Sequence, residues 1–356
     1  MSAAADDQAA PHQRVDRKTL TSWLARVFDA CGMPEDDSRL AAEVMARCNA
    51  RGYETHGVTR VMTYVQKFES GDINPNPNMT FEMRDAVLVI DGDDGLGQVV
   101  GPKAMDRAIE LAHDTAFVPC FIRDGGHLGA IGMFPLRAAE AGMVSVLMQA
   151  TSPVMSLPGS QGRAIGNNPI SFATPIAGRD PLIFDMATCV TSRGRVLMAN
   201  RAGRDIPEGW AIGPDGEPTT DAEQALLGAM LPVGGPKGIG LAMMVECLAA
   251  SLSGTFAPTM QGAQPAIGSA TMHVGAFFFV ANPERVVGRD TFERHIDGWV
   301  SQYLSATGDD ARLPGQRAAA TERERTANGI PIPPEIIAEL HEVGDKVGES
   351  FDVPLT

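Results

Sequence analysis

The sequence predicts an α/β fold in which helical N- and C-terminal parts pack on a mixed α/β core. Three observations predict it. Apolar residues recur at helical spacing through the first part of the chain. Short apolar runs then alternate with amphipathic stretches between residues 87 and 185, and a helical pattern returns from Ala318. The chain has 356 residues, 44% hydrophobic and 21% charged, enough for a sizeable core and about two domains. The expected divisions are a flexible tail over 1–16, a helical part over 17–80, an α/β core over 81–310 and a helical part over 311–356 that packs with the first.

In the N-terminal part Asp16 is placed to cap a helix whose Leu20, Trp23, Leu24, Val27, Phe28 and Cys31 form one apolar stripe, ended by Gly32. A second helix begins within Pro34–Ser38 and runs to about Gly52. Thr55 is an N-cap candidate for a third, from His56 to about Phe68, stopped by Gly71 and the Asn74-Pro75-Asn76-Pro77 loop. Strands are expected at Val87–Ile90, Phe117–Ile122, Val144–Gln149, Ile170–Thr174 and Leu182–Asp185, with helices at Pro102–His113 and Ile131–Glu140. After Ile206 the chain reads as loop-rich, followed by a buried helix at Leu241–Leu252 and a strand at Phe277–Val280.

A net charge of -15 argues against nucleic acid or an anionic membrane as partner, but not against a small anionic substrate. The five cysteines, Cys31, Cys48, Cys120, Cys189 and Cys247, form no C-x-x-C pair, and the histidines show no metal-ligand spacing. No metal is expected, and reduced thiols fit a cytoplasmic location. The polar start lacks a secretory h-region, and the most apolar stretch is too short to span a bilayer.

Five segments, in four constellations, could carry chemistry. In a helix, His56, Arg60 and Tyr64 share one face at i, i+4 and i+8: a proton carrier, a carboxylate-binding guanidinium and a phenol. A His at a helix N-terminus feels the positive end of the dipole, which lowers its pKa. His127 follows Asp124-Gly125-Gly126 in a strand-to-helix turn where a ligand can approach backbone. Gly166-Asn167-Asn168-Pro169 and Asp185-Met186-Ala187-Thr188 each lie beside a strand end. Gly234-Gly235-Pro236-Lys237-Gly238 puts open backbone N–H groups and a cation before a helix, suited to an anion. A solvated polar stripe and plain turns would account for the same residues without chemistry. Two look-alikes fail on spacing. Gly95-Leu96-Gly97 is followed by Gly101 one position late for a dinucleotide fingerprint, and Asp91-Gly92-Asp93-Asp94-Gly95 lacks the Glu of a calcium loop.

Taken in order, these segments resemble the type-2 malate/L-lactate dehydrogenase family, which includes ureidoglycolate and sulfolactate dehydrogenases, diketogulonate reductases and cyclic-imine reductases. The matching stretches are His56-Gly57-Val58 with Arg60 and Tyr64, then Gly71 to Pro75, Gly95-Leu96-Gly97-Gln98 and His127. They continue through Gly166 to Pro169, Asp185 to Thr188, Ile206 to Trp210, Leu231 to Leu241, Leu313 to Gln316 and Gly329-Ile330-Pro331, covering roughly residues 17 to 345.

The resemblance implies a non-Rossmann NAD(P)-binding fold working as a homodimer on a small carboxylate substrate. It implies His56, Arg60, Tyr64 and His127 as catalytic residues. It implies Thr151, Asp185, Met186, Ala187, Lys237 and the Pro314-Gly315-Gln316 turn as lining NAD or NADP. Several positions depart from the family pattern. Thr55 replaces the common Ser before the first His, Gly125 and Gly126 leave no hydroxyl near His127, and Leu128, Asn167 and Gln316 replace Phe, Thr and Glu. The missing Ser favours His56 over His127 as proton carrier. The implied reaction is reduction of a 2-oxoacid to a 2-hydroxyacid. Reduction of a cyclic 2-imino acid is the alternative, and a metal-free His-dependent hydrolase or lyase a third reading.

Overall fold

Asp16 caps its helix as its side chain accepts from the Thr19 N–H at 2.8 Å, and the stripe from Leu20 to Phe28 is buried. From there the local signals lead through a computed structural model that describes residues 13–160, 162–255, 273–308 and 311–354. In chain order the elements are β1 (Gln13–Val15), α1 (Arg17–Ala30), α2 (Glu35–Ala50), α3 (Val61–Ser70), β2 (Thr80–Arg84), β3 (Val87–Asp91), α4 (Gly97–Ala112) and β4 (Phe117–Arg123). Next come α5 (Met133–Glu140), β5 (Val144–Gln149), β6 (Pro153–Met155), β7 (Ile165–Gly166), β8 (Ile170–Thr174), β9 (Leu182–Met186), α6 (Arg193–Arg201), β10 (Ala211–Ile212), β11 (Pro218–Thr219), α7 (Ala222–Leu227) and β12 (Ala229–Met230). The last are α8 (Pro236–Val245), β13 (Ala276–Ala281), α9 (Pro283–Val286), α10 (Arg289–Thr307), α11 (Gln316–Asn328), β14 (Ile330–Ile332) and α12 (Pro334–Val347).

The chain divides into two compact units, residues 1–76 with 316–356, and residues 77–315. In the first, β1 pairs antiparallel with β14, so the tail expected over 1–16 is already a strand at Gln13–Val15. Its reason is long-range: Arg14 donates to the Gly329 carbonyl at 2.7 Å and pairs with Glu324 at 2.8 Å, pinning the strand beside Ile330–Ile332. The remainder of that tail lies outside the described residues. Glu322 of α11 meets Arg47 at 2.8 Å and Arg51 at 2.5 Å, both on the α2 side. Burial opposes its charge, but the arginines outweigh burial and hold its carboxyl below the usual range.

The second unit is built on a seven-stranded sheet in the order β2-β3-β4-β13-β5-β8-β9. Only β3 and β4 run parallel; every other neighbouring pair is antiparallel. The alternation in β3 and β4 turns Leu88, Ile90, Val118, Cys120 and Ile122 to one face, where α4 and α5 cover them. Phe278 of β13, fully buried, stands opposite Cys120 on one side and Leu147 on the other. Such a side chain contributes roughly 1.5–3 kcal/mol by leaving water. Gly101 owes its place to packing: a Cβ there would sit 2.6 Å from the Phe134 ring. A five-stranded sheet, β11-β10-β12-β6-β7, completes the unit, so the stretch after Ile206 is less loop-like than its prolines and glycines suggest.

Two expected helices differ. The third is not one helix from His56: Glu54–His56 and Val58–Arg60 are separate 3-10 turns, broken at Gly57 (φ -99, ψ -137), and α3 starts at Val61. The helix expected to be buried at Leu241–Leu252 is α8 followed by a π-helical turn at Glu246–Ser251, and it leaves Leu241, Met243 and Met244 exposed.

Candidate active site

The break at Gly57 has a packing cause. Asn49, buried on α2, reaches under the turn and accepts from the Val58 N–H at 2.8 Å. A Cβ on Gly57 would lie 1.9 Å from the Asn49 side-chain oxygen, so only glycine lets the chain pass. The turns are tied further by Thr59, whose hydroxyl donates to the Glu54 carbonyl at 2.7 Å, and by Arg325, which pairs with Glu54 at 2.7 Å.

On this scaffold the Thr55 hydroxyl lies 2.9 Å from His56 Nδ1, and Arg60 Nε donates to the Thr55 carbonyl at 2.8 Å. The Arg60 terminal nitrogens have no hydrogen-bond partner among the described residues. His56 is pushed down to about 4, first by burial and then by the Arg60 charge. No α-helix begins at His56, so the helix dipole expected to lower it is not the cause. Tyr64 sits on α3 and is buried at 3% exposure, away from solvent. His56, Arg60, Tyr64 and Gln316 belong to the first unit; His127, Thr151, Asp185, Met186, Ala187, Lys237, Pro314 and Gly315 belong to the second.

Within the second unit, the expected cofactor residues are held around the end of β9 by short polar links. Thr151 donates through its backbone to Asn168 at 2.9 Å and through its hydroxyl to Asn167 at 2.8 Å. The Asn167 carbonyl accepts from both the backbone and the hydroxyl of Thr188, each at 2.9 Å, tying Thr151 to the residue after Ala187. Val233 N–H donates to the Thr188 carbonyl at 2.9 Å, bringing in the loop that leads to Lys237 at the start of α8. Pro314 accepts from Ile183 N–H at 3.1 Å, which docks the Leu313–Gly315 turn on β9. Asn168, fully buried, was not singled out beyond its motif; its amide also donates to Glu246 and the Ala242 carbonyl, both at 2.9 Å.

The loop with His127 is fixed at the same end of the sheet. Gln149, closing β5, donates to the Gly126 carbonyl at 3.0 Å and accepts from Leu128 N–H at 3.2 Å. Beyond it, Gly132 N–H donates to Asp185 at 3.0 Å. Asp185 is reached by solvent yet crowded by protein, and that crowding pushes its carboxyl up to about 6 against the pull of the Gly132 N–H. The glycines ahead of α8 suit a dinucleotide phosphate. Gly234 and Gly235 both have φ 60, the helix has no side-chain cap, and a Cβ on Gly235 would meet nothing within 4 Å.

Known proteins resemble this chain in sequence and fold. The malate/L-lactate dehydrogenase family profile matches residues 15–341. The malate dehydrogenase of Pyrococcus horikoshii is 35% identical over 94% of this chain and 96% of its own. The NADP-dependent (2R)-3-sulfolactate dehydrogenase of Chromohalobacter salexigens is 32% identical over 88% and 92%. The crystal structure of Δ1-piperideine-2-carboxylate reductase from Pseudomonas syringae superposes with a TM-score of 0.85 at 30% identity, covering 93% of this chain and 99% of that one. By profile, sequence and structure alike, the chain belongs to the malate/L-lactate dehydrogenase family of NAD(P)-dependent oxidoreductases.

Proposed function

We propose that the protein reduces a small 2-oxoacid to the 2-hydroxyacid, reversibly, with His56 and Arg60 as its acid/base and carboxylate anchor. The observation that carries this reading is the Thr55-His56-Arg60 turn. There a guanidinium whose terminal nitrogens have no hydrogen-bond partner among the described residues stands beside an imidazole whose Nδ1 is held by a hydroxyl. NAD(P)H supplies the hydride when bound. Arg60 receives the substrate carboxylate in bidentate fashion, which fixes the carbonyl in place. His56, oriented through Nδ1, exchanges the proton of the substrate oxygen through Nε2, worth about 10²–10⁴-fold as general acid/base catalysis. His127 places substrate or cofactor, and Tyr64, the third catalytic residue of this stretch, faces the substrate only if its buried position on α3 opens to it.

Thr151, Asp185, Met186, Ala187, Lys237 and the Pro314-Gly315-Gln316 turn hold the cofactor, Lys237 and the open glycines taking its phosphates. The protein works as a homodimer, for which the exposed Leu241, Met243 and Met244 of α8 offer an apolar contact. Among the described residues no helix is long and apolar enough to cross a membrane. A cyclic 2-imino acid is the second substrate class, favoured by the structural likeness to the piperideine-carboxylate reductase.

The test is consumption of NADH and NADPH by purified protein against a panel of 2-oxoacids and cyclic imino acids, with His56→Ala alongside. Turnover with 2-oxoacids that collapses in the variant supports the reading, and turnover with imines alone moves it to C=N reduction. Turnover without nicotinamide would favour hydrolase or lyase chemistry and overturn it.

A further inference from the structure

We propose that Asp94, Asp124 and His273 form a binding site for a divalent transition-metal cation, with Thr255 beside it. The three side chains come from the ends of adjacent strands: Asp94 after β3, Asp124 after β4 and His273 ahead of β13. His273 Nδ1 lies 2.9 Å from Asp94 Oδ1 and 3.3 Å from Asp124 Oδ1, and the three ligand atoms all fall within 4.8 Å of one another. A tetrahedral ion with bonds of about 2.0–2.1 Å holds its ligand atoms roughly 3.3 Å apart. The separations on the His273 side are therefore those of a site already drawn together.

Charge points the same way. Asp91 shares this recess of about 430 Å³ but is engaged by Arg123 at 2.8 Å. Asp94 and Asp124 have no Arg or Lys ion-pair partner among the described residues; His273 alone faces them. Two carboxylates this close are stabilised by a doubly charged ion more fully than by one imidazole. An independent observation is Thr255, which lines the same recess at 7% exposure and whose hydroxyl finds no hydrogen-bond partner among the described residues. A buried hydroxyl without a partner is costly, and a polar ligand bound beside it is one way to satisfy it.

Backbone bonds pre-set the geometry. Asp94 N–H donates to the Asp124 carbonyl at 2.9 Å, Gly92 N–H to the Arg123 carbonyl at 2.9 Å and Gly125 N–H to the Val274 carbonyl at 3.1 Å. The three ligand-bearing segments are thus locked together before any ion arrives. Two carboxylates and one imidazole suit Mn²⁺ or Zn²⁺ better than Mg²⁺ or Ca²⁺, which prefer oxygen alone.

The test uses the full chain, stripped with chelator and titrated with Mn²⁺, which thiols such as Cys247 do not compete for, with binding read by electron paramagnetic resonance. One Mn²⁺ per chain is expected, displaced by Zn²⁺ and not by equal Mg²⁺. Asp124→Asn and His273→Gln should weaken it at least about tenfold, and circular dichroism should confirm that both remain folded. If either variant fails to fold, Thr255→Val serves instead, with a smaller loss expected. No saturable Mn²⁺ or Zn²⁺ binding, or binding unchanged in folded variants, overturns the proposal.

Discussion

With a pKa of about 4, His56 is neutral in the free enzyme near neutral pH, so binding of a carboxylate should take up a proton. At pH 7 only about one chain in a thousand would carry the imidazolium. A carboxylate seated on Arg60 neutralises the guanidinium charge and adds a negative charge within reach of the ring. An opposite charge at ~4–6 Å raises a histidine by about 1–3 units, or ~1.4–4 kcal/mol of coupling. His56 in the complex would then titrate between about 5 and 7. Binding of oxamate, a small 2-oxoacid analogue, should take up roughly 0.4–0.9 proton per chain at pH 5 and less than about 0.1 at pH 8. Calorimetry in two buffers of different ionisation enthalpy reads that number directly. Uptake of zero at pH 5, or uptake that survives in His56→Gln, would refute both the assignment of His56 and the charge argument behind it.

Other outcomes follow from the same geometry. Arg60→Lys loses the planar fork and should raise the substrate KM by more than tenfold while leaving cofactor Kd within about twofold; an unchanged KM removes Arg60 from the anchor role. Asp185→Asn should weaken NAD(P)H binding measured by fluorescence. Because the Asp185 carboxyl is raised from 3.8 to about 6 in the folded protein, the stability it contributes is present below 3.8 and lost as pH rises through 6. The variant should therefore gain in Tm over wild type between pH 4 and 7, and a pH-independent difference would contradict the shift. His56 acts in the opposite sense: its pKa falls from 6.5 to about 4, so its contribution is complete above 6.5 and lost as pH falls through 4. Gly57→Ala should cost about 1–3 kcal/mol in a denaturation assay and depress activity, since its Cβ would displace the Asn49 bond to Val58.

What could be read from the sequence depended on whether the signal was local. Asp16, the Leu20–Phe28 stripe and the strand runs at Val87, Phe117 and Val144 carry their own period, and each forms the element it implies. Helix α10 has no such stripe, as only Val300 along it is buried, and α6 buries only Val196. Neither carries a periodic signal in its sequence. The His56 segment reads as helical because Thr55 offers an N-cap and Gly71 a stop. Gly57 was a warning within it, but the force that breaks the helix comes from Asn49 on another element. The Asp91–Gly95 segment lacks the Glu of a calcium loop, and that Asp94 meets Asp124 and His273 depends on the sheet, which sets the ends of β4 and β13 beside β3.

The place of β13 also sets how the protein can be made. β4 and β5 emerge from the ribosome early, yet they do not touch as neighbours; the strand that joins them is synthesised long afterwards. Until Ala276–Ala281 emerges, the sheet exists as two halves with open inner edges, and Cys120 and Leu147 lack Phe278 between them. A nascent chain in that state exposes unpaired backbone, the condition that recruits chaperones and invites aggregation. Folding of the unit over residues 77–315 should thus be slow, and a chain ending before residue 276 should not form the joined seven-stranded sheet.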